Sequence, residues 1–310
     1  MTGKSKVAVP KKAATIILLR DNDRGEFEVF LLKRHEANAF MAGNFVYPGG
    51  RVDREDSDEE IICHTRGLPP DQAHQILGEP FLKVEDLSYR VAGIRELYEE
   101  AGVLLAYDRM GNLLSMESDD VRERFAHHRR QLQKREKTLL QILKEENLTL
   151  ALDVCHYYAH WITPEARTIR FDTRFFLARH AVGQEATPDT RETTEGVWIT
   201  PANALQENLK GNVALSPPTL RTLEELSRYR TSDEAIKALS CIVTDTIIPL
   251  LLNPLADEII IFPWDPEYEL LERGDIATTN DHGLPSCPSD TTTRLVLKGR
   301  CWLPYCKRVR

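Results

Sequence analysis

Residues 95–103 read Arg95-Glu96-Leu97-Tyr98-Glu99-Glu100-Ala101-Gly102-Val103, and this stretch sets three carboxylates on one face of a predicted helix. Glu96, Glu99 and Glu100 stand at i, i+3 and i+4, so all three can reach one spot. Like charges at that spacing repel, and a chain tolerates them where water screens them or where a cation sits among them. Hard oxygen donors in such a group suit magnesium or manganese. The plainer reading is a solvated acidic face, the commoner meaning of a Glu-Glu pair on a helix. The residues on either side decide between the two.

Upstream, Tyr47-Pro48-Gly49-Gly50-Arg51-Val52-Asp53 ends an apolar run in a Pro-Gly-Gly turn, whose backbone can approach a ligand closely because no Cβ intervenes. Downstream, Gly102 is placed to end the helix. A glycine turn, acidic residues and then Arg-Glu-Leu-x-Glu-Glu-x-Gly-Val resembles the Nudix box, Gly-x5-Glu-x7-Arg-Glu-U-x-Glu-Glu-x-Gly-U with U apolar. From Arg95 onward every defined position matches. The first half departs, because Asp56 stands where the first Glu belongs. About thirty extra residues also separate Asp56 from Arg95, an excursion that costs little closure entropy in a surface loop. The resemblance implies an α/β fold, the Nudix α/β/α sandwich with a mixed sheet, here with a helical insertion and a C-terminal extension. Residues 1–230 are expected to form the hydrolase domain, with the insertion at 57–88 and a charged helix over 118–146. Residues 231–310 would be an extension packed on the same domain.

Composition sets the bounds. The chain has 310 residues, 42% of them hydrophobic, which is ample for a core. A formal charge of −8, with both signs spread along the chain, argues against a nucleic-acid binder. An anionic substrate must then be recognised locally. No run of apolar residues is long enough to span a membrane, and residues 1–12 lack the apolar core of a secretory signal. Cys63, Cys155, Cys241, Cys287, Cys301 and Cys306 are scattered and are expected to be reduced. His282, Cys287, Cys301 and Cys306 could supply four zinc ligands, but they lack the close Cys-x2-Cys pairs of familiar zinc sites, and no zinc is assigned.

Along the chain, residues 13–20 and 27–34 read as strands joined in a hairpin through Asp21-Asn22-Asp23-Arg24-Gly25. Phe40 and Met41 read as core or pocket wall. The insertion holds a short helical candidate at 71–77 and is placed either to wall a substrate pocket or to be a surface excursion. Asp86 or Ser88 is a fair cap for the helix that ends at Ala101. Over 118–146 a narrow stripe of Val121, Phe125, Leu132, Leu139 and Leu143 predicts one helix packed on a single neighbour. Its basic face could attract phosphates, or simply be solvated. Residues 170–177 alternate as a half-buried strand, and a polar loop over 184–195 leads to Trp198 and a helix capped by Thr200 with Pro201 at its first position.

One branch of the family resembles this chain in particular, the peroxisomal-type coenzyme A diphosphatases. The carriers are Phe40-Met41-Ala42-Gly43 before Tyr47-Pro48-Gly49-Gly50, then Arg170-Phe171-Asp172-Thr173-Arg174-Phe175-Phe176, Trp198-Ile199-Thr200-Pro201 and Ser216-Pro217-Pro218-Thr219-Leu220, in that order. The bacterial signature fails at Ala39 and Tyr47. The branch implies cleavage of coenzyme A or acyl-coenzyme A to 3′,5′-ADP and 4′-phosphopantetheine. Its animal members end in a peroxisomal tripeptide. This chain ends Lys307-Arg308-Val309-Arg310, so a cytoplasmic enzyme is expected.

Roles carry over position by position. Glu99 and Glu100 are the first expected ligands of Mg2+ or Mn2+, Glu96 is a further ligand or outer partner, and the Gly50 carbonyl is a backbone ligand. Arg95 is expected to point away from the metal face and to pin the loop through Asp56. The general base is open between a box glutamate and Glu192 or Glu195. Arg51, Arg170 and Arg174 are candidates to read a substrate phosphate. Two other readings stay open: a diphosphatase of ADP-ribose, NADH or nucleotide sugars, and a non-catalytic Nudix module that binds a nucleotide or a partner. The intact glutamates speak against the module. The expected partner is a small-molecule nucleotide, with no nucleic acid and no membrane, and the oligomeric state is left open.

Overall fold

The computed structural model describes residues 7–37, 41–68, 83–240, 245–253, 258–275, 284–285 and 291–307. Phe40, the helical candidate at 71–77, and His282 and Cys287 of the zinc group lie outside the described residues. Strands β1 (Lys11–Asp21) and β2 (Phe27–Arg34) form the expected hairpin. Strands β3 (Phe45–Val46) and β4 (Gly49–Arg51) follow, then a 3-10 turn (Arg54–Ser57), helix α1 (Glu59–Ile62) and β5 (Thr65–Arg66). The three glutamates lie on helix α2 (Lys83–Ala101). After β6 (Ala106–Tyr107) come α3 (Asp119–Gln133), α4 (Leu139–Glu146) and β7 (Thr149–Ala151). Next are β8 (His156–Ile162), β9 (Phe171–Arg179) and β10 (Thr193–Ile199), then α5 (Pro201–Leu209), α6 (Pro217–Leu226) and α7 (Ser232–Leu239). The chain continues through β11 (Leu250–Leu252), β12 (Ile259–Ile261), α8 (Tyr268–Arg273), β13 (Leu284–Pro285), β14 (Arg294–Lys298) and β15 (Cys301–Cys306).

The central sheet is mixed. Its order is β10-β2-β1-β9-β8, with β3 on β2 and β4 on β1. Strands β1 and β9 run parallel, and the other pairs are antiparallel. Both faces are covered, which is why β1 reads as an unbroken apolar run rather than an alternating one. Ala14, Ile16 and Leu18 point into one core with Tyr89, Ile94 and Leu97 of α2. Ile17 and Leu19 point into the other, with Leu220 and Leu223 of α6 and with Leu251, Ile260, Phe262, Leu295 and Trp302 from the C-terminal segment. That segment forms its own antiparallel sheet, ordered β11-β12-β14-β15-β13.

Three local expectations are corrected. Helix α2 begins at Lys83, so Asp86 and Ser88 are buried inside it instead of capping it. Asp86 stands one turn before the buried Arg90, and its charge supports that guanidinium. The stripe over 118–146 is split into α3 and α4. Thr138 and Gln141 form a reciprocal capping box that starts a second helix, and Arg135 takes a left-handed turn (φ 58°) between the two. The polar loop ends earlier than expected because Thr193 to Ile199 pair with β2.

Candidate active site

The Gly49-Gly50 turn lies against α2 because β4 pairs with β1, Gly49 opposite Thr15 and Gly50 opposite Ala14. A Cβ on Gly49 would stand 2.5 Å from the Ala14 carbonyl oxygen, and one on Gly50 would stand 2.5 Å from the Glu96 carboxyl. Glycine is therefore required at 49, where backbone stands in the way, while a side chain at 50 would displace the Glu96 carboxyl. The Gly49 N–H donates to Glu100 Oε2 at 2.9 Å. Gly102, at φ 75°, ends the helix, and its N–H donates to the Tyr98 carbonyl.

Arg95 is the bracket of the site. Its Nε and Nη2 donate to both oxygens of the buried Asp56 at 2.9 and 3.0 Å, and Nη2 also donates to the Arg51 carbonyl at 2.8 Å. Asp56 accepts in turn from the Asp53 N–H at 2.8 Å, which closes the 3-10 turn. The expectation that Arg95 points away from the acidic face is corrected, because Nη1 lies 2.9 Å from Glu96 and 3.0 Å from Glu99. One guanidinium thus donates to three carboxylates, with the Asp53 carboxylate a fourth neighbour at 4.0 Å. Burial pushes the Glu96 carboxyl up to about 7, with Arg95 pulling it down and Glu99 adding to the push. Burial also raises Glu99, and it raises Glu100 well above the usual range with help from the Glu96 charge.

The carbonyl of Glu99, in the last turn of α2, accepts from Arg129 Nε at 3.0 Å and Gln133 Nε2 at 2.6 Å. These two residues of α3 satisfy an end-of-helix acceptor that has no partner within its own helix. All three glutamates face a cavity of about 1120 Å³, lined also by Arg34, Arg51, Arg135, Gln133 and Glu192. Arg51 and Arg135 make no ion pair among the described residues.

Comparison with known proteins gives the family of the chain. The family model of the NUDT19 Nudix domain matches residues 10–228. The chain belongs to the Nudix hydrolases. The Xenopus laevis acyl-coenzyme A diphosphatase NUDT19 is 24% identical over 309 residues, covering 90% of this chain and 80% of that protein. The human protein of the same name is 25% identical over 269 residues, covering 73% and 71%. A Nudix hydrolase structure from Alicyclobacillus acidocaldarius superposes with a TM-score of 0.59 at 23% identity, covering 76% of this chain and 99% of that one, and shares the fold. The chain is accordingly an enzyme acting on diphosphate bonds.

Within this Nudix site the other expected residues separate into those that face the cavity and those that do not. Arg51 and Glu192 line it, and the Glu192 charge reaches Glu100. Glu195 sits exposed in β10 opposite Lys33, away from the cavity walls, because pairing with β2 continues through it. Arg170 and Arg174 are not cavity residues. On β9 alternation turns Phe171, Thr173 and Phe175 to the cavity, and Arg174 to the opposite face. Arg174 is 0% exposed, donates to Asp172 at 2.6 Å and lies over the Tyr89 ring. Arg170 is 7% exposed and donates to the Thr163 and Ala8 carbonyls. Neither is open to a substrate phosphate.

The described part of the insertion packs elsewhere. Ile61 of α1 enters the core with α2, and β5 pairs with β7. Sequence reading missed Arg34 and Gln133 as cavity residues, while Arg135 belongs to the basic segment that was one candidate to attract phosphates. For Arg129 and Gln133 the only signal was their i, i+4 spacing on α3. Among the described residues no helix is long and apolar enough to cross a membrane.

Nudix hydrolases generally use divalent metal ions, and these residues fit one. The donors are carboxylate and carbonyl oxygens, burial leaves them short of countercharge, and the Gly50 cradle keeps Cβ atoms out of their way.

Proposed function

We propose that this enzyme hydrolyses the diphosphate of coenzyme A or acyl-coenzyme A, giving 3′,5′-ADP and (acyl-)4′-phosphopantetheine. The reading rests on one observation above all. One buried and two half-buried glutamates, a side-chain-free glycine turn and basic residues meet in a cavity large enough for a dinucleotide-sized substrate. The names of the curated relatives supply the choice of diphosphate. Residues 1–230 would be the hydrolase, with residues 231–310 packed upon it.

In this reading Glu96, Glu99, Glu100 and the Gly50 carbonyl hold Mg2+ or Mn2+. When bound, the cation neutralises diphosphate oxygens and lowers the pKa of a water molecule. Arg95 holds Glu96 and Glu99 in place through Asp56, so its part is positioning. Arg51 and Arg135 offer positive charge to the substrate phosphates. Water adds to phosphorus, the P–O bond of the bridge breaks, and the proton passes to a carboxylate. A box glutamate is the proposed acceptor, with Glu192 the competing group because it also faces the cavity. Glu192→Gln losing as much turnover as Glu99→Gln would transfer the role to Glu192.

The test is a product assay by mass spectrometry with magnesium or manganese. Coenzyme A, dephospho-coenzyme A, ADP-ribose and NADH are compared, with Glu99→Gln as control. Release of 3′,5′-ADP by the wild type alone is expected. Cleavage restricted to ADP-ribose or NADH would overturn the substrate assignment.

A further inference from the structure

The cavity does not end at the glutamates. It runs on between the central sheet and the C-terminal sheet, and its chemistry changes along the way. Trp161, Phe171 and Phe175 line the far arm from β8 and β9, and Ile260, Leu297 and Trp302 face them from β12, β14 and β15. Leu297 and Trp302 are partners across the β14–β15 pair, so they present one apolar patch.

This wall is anchored to the central sheet. Ile247 pairs with Trp161 as a parallel bridge, and its N–H donates to the His160 carbonyl at 2.8 Å. Arg167 grips both oxygens of Glu258 at 2.8 and 2.7 Å. The Trp161 and Phe262 rings meet edge-on at 5.9 Å, and the buried Asn208 donates to the Trp302 carbonyl at 2.9 Å.

The charges near the arm pair with each other. Arg167 is taken by Glu258, and Arg300 by Glu36 at 2.8 Å. Among the described residues both of these arginines are already paired, so a second phosphate there would have to displace Glu258 or Glu36. A sugar could meet the hydroxyls of Thr163, Thr168 and Thr173 but would set its remaining hydroxyls against Trp, Phe and Leu, which is costly. An alkyl chain meets neither difficulty.

We propose that this arm holds the acyl chain of an acyl-coenzyme A thioester, and that Leu297 and Trp302 set the chain length accepted. The inference rests on the coenzyme A reading above and assigns the C-terminal segment a place in substrate selection. Each methylene newly shielded by the wall is worth up to about fourfold in kcat/KM. The gain stops when the arm is full.

The experiment measures kcat/KM for free coenzyme A and for acetyl-, hexanoyl-, decanoyl- and hexadecanoyl-coenzyme A in the full-length protein. Wild type is compared with Leu297→Asp and Leu297→Trp. Calorimetry with S-decanoyl-pantetheine, which has no diphosphate, is run beside it. Leu297→Asp should lower the decanoyl-to-free ratio at least about tenfold, by setting a charge against the chain. Leu297→Trp should move the optimum to shorter chains, and this variant keeps the test alive if the aspartate variant does not fold. An unchanged ratio and an unchanged optimum would overturn the arm while leaving the coenzyme A reading standing. No turnover of any coenzyme A, with S-decanoyl-pantetheine still bound and weakened by Leu297→Trp, would overturn the substrate reading and leave the apolar arm.

Discussion

Among the described residues, two acidic clusters built from similar donor atoms stand in contrast, one at the cavity and one away from it. His128, Glu145 and Glu146 bring ligand atoms within 4.8 Å of one another, which no other such trio does among the described residues. Yet each carboxylate there has its own cation, Lys137 on Glu145 at 2.6 Å and Arg124 on Glu146 at 2.9 Å. Lys137 holds the Glu145 carboxyl below its ordinary range. On α2 and its loop, Asp56, Glu96 and Glu99 share the single Arg95, and burial drives Glu96, Glu99 and Glu100 the other way. Proximity of carboxylates therefore does not make a cation site. Shortage of countercharge beside a cavity is what the proposed site has and the other cluster lacks.

The comparison can be broken at several points. Arg95→Ala leaves Asp56 buried beside two other acids and should cost about 3–5 kcal/mol in urea unfolding, the scale for removing one partner of a buried pair. Arg124→Ala, at a half-exposed pair, should cost about 0.2–1 kcal/mol. Equal losses would mean that the two clusters are electrostatically alike. Next in size, Glu99→Gln should lower turnover by about 10²–10³, the scale for losing a group that supports transition-state charge. Glu145→Gln should stay within about twofold of wild type, since Glu145 is not itself a cavity residue and reaches the wall only through its pair with Lys137.

Gly50→Ala sharpens the geometric half of the argument. The new methyl displaces the Glu96 carboxyl without touching the core, so turnover should fall by about 10- to 100-fold with little change in melting temperature. A variant as active as wild type would show that Glu96 has room to spare.

The smallest expected effect is a pH slope. Glu96 holds its proton more tightly folded than unfolded, so its contribution to stability is present below about pH 4.5 and is lost as pH rises through about 7. Without divalent metal, the melting temperature of wild type relative to Glu96→Gln should decline from pH 5 to 8. Magnesium should restore it at the alkaline end, since binding requires the carboxylate. A difference that grows more stabilising with pH would reverse the assigned shift.

Much of the site was legible early because it is local. The i, i+3, i+4 spacing of Glu96, Glu99 and Glu100, the Gly49-Gly50 turn and the helix stop at Gly102 are all carried within short stretches of chain. Asp56 was named as the partner of Arg95 because the box pattern set it there. The errors arose where distant contacts decide. Arg170 and Arg174 look like substrate cations in a list of residues, and strand alternation alone turns Arg174 away from the cavity. The basic face of α3 was left between a phosphate-attracting and a solvated one, and neither reading foresaw that Arg129 and Gln133 close the end of α2.

By itself the sequence determined the hairpin strands, the helix that carries the box and the three-glutamate face, because helix and strand periodicities and a glycine's freedom are properties of neighbouring residues, while the α/β/α sandwich was what the resemblance to the Nudix box implied. Only the tertiary structure decided how far Arg95 reaches into the acidic face, which arginines see the cavity, and that Leu297 and Trp302 lie at its far end. Those facts depend on how segments some two hundred residues apart are brought together, and on the burial that results, which no local pattern encodes.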